Sequence, residues 1–566
     1  MIKINMHNLT ISIKNRQSFQ YIILISITIL AGVLRFYKLG EWSFWIDEIF
    51  TIENTKDFPN GNATRSPVST MLISLLLRGL GTSEWSTRLI PALFGMALIP
   101  VLFFPVKKLF GPVVAMLACL LMALSPWHLS FSQNARYYTT LMLFYTIAFF
   151  IFFFSLERNR LWYMLPVFLF VFLAFQERLF ALLFLPVVGS YVMLIQLLPI
   201  EKPAGLRLKQ IVMSVAVILV IACGYLLYDT FNLQRTGDSL ITAFLQRFVG
   251  QSDWHPQWLL TGAAYNIGIP LVCLGLYGAG TQLLKRSRAG LFITLGALVP
   301  LFAIMVLAPF TRTTVHYALM ILPCWMILTA IGIKELYRKT RQGHRKPMLV
   351  LIFLIALVSV KDRVWIDVRH YVIGDWPVIL FLGCVALSIL LGILLLLHVI
   401  SKIHHNDKTM PSSLKKWQLV WGCGILLPVL FHPMVANTLY YEYSHGNRAN
   451  WRAAAAVFRE HKTPGDVVYT TLPPLGTYYF GDATEPMGDL LQGEHINLQT
   501  VLLQHQRAWF IEEAGVTMLM GDTFAQWSDT HCETFGVFDN YIAGETWKLR
   551  IHLCGSENSS LVQTAK

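Results

Sequence analysis

Residues 21–48 read YIILISITILAGVLRFYKLGEWSFWIDE, and this stretch decides how the rest of the chain is read. The run 21–37 is apolar and suits a membrane span. It reads as a retained span rather than a cleaved signal peptide, because it is long and no small-residue cleavage site precedes WSFWIDE. An interfacial belt accounts for Trp42 and Trp45. It does not account for Asp47 and Glu48, two adjacent carboxylates at the membrane edge, where ionised groups are costly unless they have a task. A carboxylate held there suits a general base acting on an acceptor hydroxyl, or a cation ligand.

Composition agrees with a membrane chain. Hydrophobic residues make up 55 % and charged residues 14 %, against about 25 % charged in soluble domains. Further apolar runs lie near 93–106, 112–126, 139–155, 161–175, 179–198, 211–229, 262–284, 290–308, 315–333, 347–360, 376–400 and 417–436, which predicts about thirteen spans. The net charge of +13 is read through the loops and not as a nucleic-acid surface. Lys107, Lys108, Arg158, Arg160, Lys285, Arg286, Arg288, Lys334 and Arg338 fall in alternate loops. The opposite short loops carry few basic residues. The asymmetry predicts a cytoplasmic N-terminus and an extracytoplasmic C-terminus.

Two large segments then lie outside. Residues 38–92 form the first outer loop of a transmembrane domain spanning 1–436, and 437–566 form a separate small α/β domain. In that tail NWRAAAAVFREH reads as a helix, TPGD as a turn, and VVYTT, QRAWFIEE and TWKLRIHLC as strands. Cys532 and Cys554 are the only tail cysteines and are expected to pair outside the cytoplasm. From Val68 to Leu93 apolar residues recur at helical spacing, which predicts one amphipathic helix along the membrane surface.

Other groups point to chemistry from their place alone. Arg136 opens a span on the outer side, where the positive-inside rule asks for no arginine, and suits a phosphate partner. Glu177 and Arg178 share a very short outer loop, as a neighbouring ion pair or as a second carboxylate facing the cavity. Asp253 and His255 lie in the long loop 230–261, which suits a lid. His255 has no second ligand spaced to join it in a metal site.

Together with RLIPALFG, KKLFG, ALSPWHLSFSQNARYY and HYALMILP, these features resemble the polytopic GT-C glycosyltransferases of the protein O-mannosyltransferase and aminoarabinose transferase superfamily, in particular their Rgt-like bacterial branch. The resemblance implies an all-α polytopic fold with an extracytoplasmic α/β domain. It implies sugar transfer, with inversion, from a polyprenyl-phosphate carrier to a glycolipid, glycan or protein acceptor outside the cytoplasm of a bacterial inner membrane. The family's catalytic aspartate matches Asp47, and Glu48 matches its neighbour, which the resemblance implies belongs to the catalytic pair and supports acceptor or base positioning. Its Ser-Gln-Glu-Ala-Arg-x-Tyr motif matches Ser132–Tyr138, with Gln133, Arg136 and Tyr138 as donor-phosphate contacts and Asn134 in place of the Glu. The basic residue expected before the proline of the surface helix is Ser66 here, with Arg65 beside it. The late motif matches Arg312, His316 and Tyr317, also read as donor contacts. No cofactor is required on this reading, and the missing Glu weakens a divalent metal. Two rivals remain. A transporter or flippase would need paired broken helices in repeated halves. A polyprenyl-linked glycan polymerase or ligase would keep its large loop late in the bundle.

Overall fold

A computed structural model of the chain describes residues 6–56, 58, 66–205, 224, 256–308, 313–342, 355, 429–481, 484–487, 501, 505, 507–513, 523–542 and 545–555. The spans expected near 211–229, 347–360 and 376–400 and most of 417–436 lie outside the described residues, as do Arg65, Asp253, His255 and Arg312. Among the described residues six helices are long and apolar enough to cross a membrane, or up to eight if each of two bent helix pairs is one span.

The first helix, α1 (Met6–Phe36), starts before the apolar run and spans from Ser18. The segment after α1 supplies α2 (Ile46–Lys56) and α3 (Pro67–Leu80). The single surface helix expected over 68–93 is two helices. α3 ends at Gly81, and α4 (Glu84–Phe110) restarts behind a Ser83–Ser86 capping box. That cap satisfies the N–H groups of the new helix end, so α4 rises into the bundle from Glu84 and absorbs the run first placed at 93–106.

α5 (Pro112–Leu124) bends by 58° into the short α6 (Pro126–Ser132), and α7 (Tyr138–Arg158) follows. α8 (Met164–Glu177) packs back against α7, and α9 (Phe184–Leu197) follows it. The run expected at 262–284 is broken rather than straight. α10 (Pro256–Ile267) meets α11 (Ile269–Leu284) at 98°, with Gly268 at φ 97 between them. α12 (Arg288–Leu307) and α13 (Leu322–Arg341) complete the described bundle. At Gly278 and Gly332 α11 and α13 cross so closely that a Cβ would strike the opposite backbone, the small-residue packing that lipid-embedded helices use.

Basic residues gather at one end of this bundle. Arg288 pairs with Glu157 at 2.9 Å, Lys285 with Glu335 at 2.6 Å, and Lys334 donates to the Phe110 carbonyl. The tail caps the other end. It holds α14 (Trp451–His461), α15 (Pro473–Phe480), α16 (Thr523–His531) and a sheet of β1 (Val467–Thr470), β2 (Thr484–Pro486), β3 (Arg507–Glu513), β4 (Cys532–Ile542) and β5 (Glu545–Gly555). The strand order is β2-β1-β3-β5-β4, with β1 parallel to β2 and β3 and the rest antiparallel. Cys532 and Cys554 face each other across β4 and β5 and are disulfide-bonded, with Cα atoms 4.1 Å apart.

The tail's core crosses the boundary placed at 436/437. Phe44, Ile49 and Ile52 of the outer loop pack with Trp451, Phe458, Trp509 and Ile551. The loop carrying Asp47 is therefore built into the tail's hydrophobic centre.

Candidate active site

The site grows from the first turn of α2. Trp45 precedes the helix, so Asp47 and Glu48 occupy its second and third positions, where negative charge is favoured. Adjacent helical residues point about 100° apart. One carboxylate turns into the protein and the other toward the bundle.

Glu48 turns inward and its side chain is 0 % exposed. It accepts the Trp45 N–H at 3.0 Å, which closes the helix start. Arg88 of α4 grips it with two charge-assisted bonds, Nε to Oε1 at 2.8 Å and Nη2 to Oε2 at 2.9 Å. The Ala135 N–H donates to Oε1 at 2.8 Å, and Arg448 of the tail stands 3.2 Å from Oε2. Burial alone would raise this carboxyl. The charges of Arg448 and Arg88 outweigh it, and with the Arg88 and Ala135 hydrogen bonds hold it down to about 2. Of the two parts expected of Glu48, membership of the catalytic pair and positioning of the base, its burial and its fully occupied oxygens fit the positioning part.

Asp47 turns the other way and keeps 32 % of its side chain exposed. Arg136, in the turn before α7, lies 3.5 Å from its carboxylate and donates to its backbone carbonyl at 3.0 Å and to Thr51 at 3.2 Å. Asp47 and Arg136, both expected at the site, are thus brought together.

Behind them lies a small pocket lined by Tyr137, Tyr138, Arg178, His316 and Tyr317. Arg178 donates to the Tyr137 hydroxyl at 3.0 Å. The Arg136 and Arg178 guanidinium groups both lie against the Tyr137 ring, at 5.6 and 5.1 Å. Tyr317 stacks on Phe180 at 4.3 Å. Tyr138, His316 and Tyr317, each read from the sequence as a donor contact, line one pocket. Arg178 joins them because α8 stops at Glu177 and the next residue is extended, which turns it away from its neighbour.

Two assignments are corrected. Gln133 is not a donor-phosphate contact. Its Oε1 accepts from Trp42 and Tyr440 at 3.1 and 3.0 Å, and its Nε2 donates to the carbonyls of Leu34, Arg35 and Tyr37. Every hydrogen-bonding position of this buried amide is used inside the protein. Glu177 is neither an ion-pair partner of Arg178 nor a second carboxylate facing the cavity. It is buried under the start of α3, where it accepts the Ser69 N–H at 2.8 Å and the Ser69 hydroxyl, while its carbonyl accepts from Ser66. It fills the role of a cap for N–H groups that a helix start leaves unpaired.

Three buried arginines escaped the sequence reading. Arg88 was visible as a lone cation in RLIPALFG. Arg448 stood in a polar tail with nothing to mark it. Arg35, in the first span, donates to the carbonyls of Ala31, Ala123 and Met122 and to His128 Nδ1 at 2.6 Å. The tail adds His445, whose Nε2 accepts from the Ser43 N–H at 3.2 Å. Burial and the charges of Arg448, Arg88 and Arg452 push this ring down to about 4, which keeps the accepting nitrogen free of a proton. Among the described residues no three His, Cys, Asp or Glu side chains come together as a metal site.

This architecture has counterparts among solved structures. ArnT from Cupriavidus metallidurans in the apo state superposes with a TM-score of 0.59 at 14 % identity, covering 95 % of this chain and 98 % of that one. The fold is shared with these membrane proteins. ArnT from the same organism bound to undecaprenyl phosphate shares it with a TM-score of 0.57 at 15 % identity, covering 94 % and 97 %. The apo oligosaccharyltransferase of Archaeoglobus fulgidus shares it with a TM-score of 0.54 at 11 % identity, covering 93 % and 74 %. A family model described as dolichyl-phosphate-mannose-protein mannosyltransferase matches residues 64–228, which run from α3 through α9 and beyond. No curated protein matches the sequence.

Proposed function

We propose that the protein transfers a sugar from a polyprenyl-phosphate carrier to a hydroxyl-bearing acceptor on the extracytoplasmic face of the membrane, with inversion. The observation that carries the reading is the split of the Asp47–Glu48 pair. Glu48 is consumed by Arg88 and Arg448, which leaves Asp47 as an accessible carboxylate beside a cationic, aromatic pocket. The fold of proteins whose names or bound ligands include an oligosaccharyltransferase and undecaprenyl phosphate supports the same class of chemistry.

In this scheme the acceptor oxygen attacks the anomeric carbon and passes its proton to an Asp47 oxygen. The bond from that carbon to the phosphate oxygen breaks on the opposite face, and its electron pair leaves with the polyprenyl phosphate. The leaving group is already an anion, so it needs cations rather than a general acid. Arg178, which has no carboxylate partner among the described residues, is placed to receive it, with Tyr138, His316 and Tyr317 around it. Arg136 holds Asp47 and lends charge to the same space. A glycolipid, a glycan or a protein each satisfies the acceptor chemistry. The clustering of basic residues at the far end of the bundle supports an extracytoplasmic site.

The test is purified protein in lipid with synthetic polyprenyl-phosphate sugars, following release of free polyprenyl phosphate. Consumption of one donor that Asp47→Asn abolishes is the expected result. Consumption of none across a panel of hexose and pentose carriers, by folded protein, would overturn the reading.

A further inference from the structure

At the end of the bundle away from Asp47 lies a groove of about 440 Å³ between α4, α7 and the turn entering α8. Its walls are apolar, including Phe104, Ile147, Phe150 and Phe154, and its mouth carries Lys108, Arg158, Trp162 and Tyr163. The two cations are set in place by aromatic rings. Lys108 Nζ lies 4.5 Å from the Phe154 ring centre, and Arg158 donates to the Tyr163 hydroxyl at 2.9 Å. Neither has a carboxylate partner among the described residues, and nearby Glu157 is taken by Arg288. Two cations without a carboxylate partner among the described residues, lining one apolar slot, make a site for one anion with a hydrocarbon tail.

Depth fits a lipid. α4 and α7 both begin beside the Asp47 site and end at this groove. The 21 residues of α7 rise about 31 Å, close to the thickness of a bilayer's hydrocarbon core. Trp162 and Tyr163 then sit at the second membrane–water interface, where such rings concentrate.

We propose that this groove holds an anionic phospholipid of the leaflet opposite the active site, with its phosphate between Lys108 and Arg158 and an acyl chain along Phe104, Ile147 and Phe150. The headgroup phosphate gives both cations a counter-charge. The chain covers apolar wall that annular lipid contacts only transiently. This site does not depend on the sugar-transfer reading.

The experiment uses the full chain in phosphatidylcholine nanodiscs and measures the Kd of a mass-tagged phosphatidylglycerol. At about fivefold per cation near a membrane surface, Lys108→Gln with Arg158→Gln should weaken binding roughly 25-fold. Ile147→Trp, which fills the slot and keeps both charges, should also weaken it. Lys107→Gln, whose ammonium lies instead over Tyr21, should leave it unchanged. A photoreactive phosphatidylglycerol on the unaltered chain should label peptides containing Phe104, Ile147 or Phe150, which needs no variant to fold. Equal retention by the double variant, equal affinity for tagged phosphatidylcholine, labelling elsewhere, or displacement by inorganic phosphate as readily as by lipid would each overturn the proposal.

Discussion

Glu48 Oε2 lies 3.2 Å from Arg448 Nε, an ion pair between the segment that follows the first span and the far tail. The same carboxylate is gripped by Arg88 at the start of a spanning helix. One buried side chain thus locks loop, bundle and tail together and sets the direction in which Asp47 points. The lock continues outward. Ser43 accepts the Arg452 N–H, Phe44 donates its N–H to the Tyr479 hydroxyl, and that hydroxyl donates to Glu84.

Asp47→Asn keeps the shape and removes the basicity. Turnover should fall by roughly 10²–10⁴, the span of general acid–base catalysis. Donor affinity should change little, and so should thermal stability, because Asp47 is partly exposed and its ion pair is long. Single-turnover sugar transfer with separate donor titration checks this. Near-normal turnover in folded protein would remove Asp47 from the role.

Glu48→Gln should act on stability first. It leaves Arg88 and Arg448 buried without a counter-charge, a loss of about 3–5 kcal/mol for a broken buried pair. Thermal unfolding in detergent measures it, and a melting temperature equal to the parent's would refute the lock.

The same residue predicts an acid limb. Glu48 titrates at about 2 in the folded chain, below the unfolded value of about 4.3. Its stabilisation is therefore fully present above pH of about 4.3 and is lost as pH falls through about 2. Unfolding followed across that window should show the parent losing stability and Glu48→Gln losing less. Parallel curves would mean that another carboxylate governs acid sensitivity.

Arg178→Ala and Arg136→Ala should separate kinetically. Arg178 faces the pocket without an acidic partner, so its loss should raise the donor KM most. Arg136 also holds Asp47, so its loss should lower kcat as well. Equal effects on both constants by both variants would argue against two roles.

Glu177→Gln should loosen α3 without touching the chemistry. Replacing the carboxylate weakens the bond from the Ser69 N–H, and the cost of about 1–3 kcal/mol for a poorly satisfied buried group should appear in stability. The pH profile of turnover should keep its shape. A shifted profile would return Glu177 to the catalytic set.

The residues alone determined the membrane class, the place of most described spans and the tail's helix and strands. Those features rest on local quantities: apolar length, helical or alternating period, capping and charge asymmetry. That the Asp47–Glu48 pair needs partners was legible too, because charge at a membrane edge is costly. Which partners each carboxylate takes was not. The division of labour depends on Arg88 and Arg448, which are distant in sequence and ordinary in composition. Gln133 and Glu177 matched a motif or a position, and only their bonding partners showed that both are spent inside the protein. Arg178 looked like half of an ion pair until the end of α8 turned it into the pocket. The break at Gly81, the bend at Gly268 and the sharing of Phe44 with the tail's core likewise follow from packing. Local sequence sets which groups must be satisfied, and the tertiary structure alone decides which partner satisfies each and which carboxylate remains free.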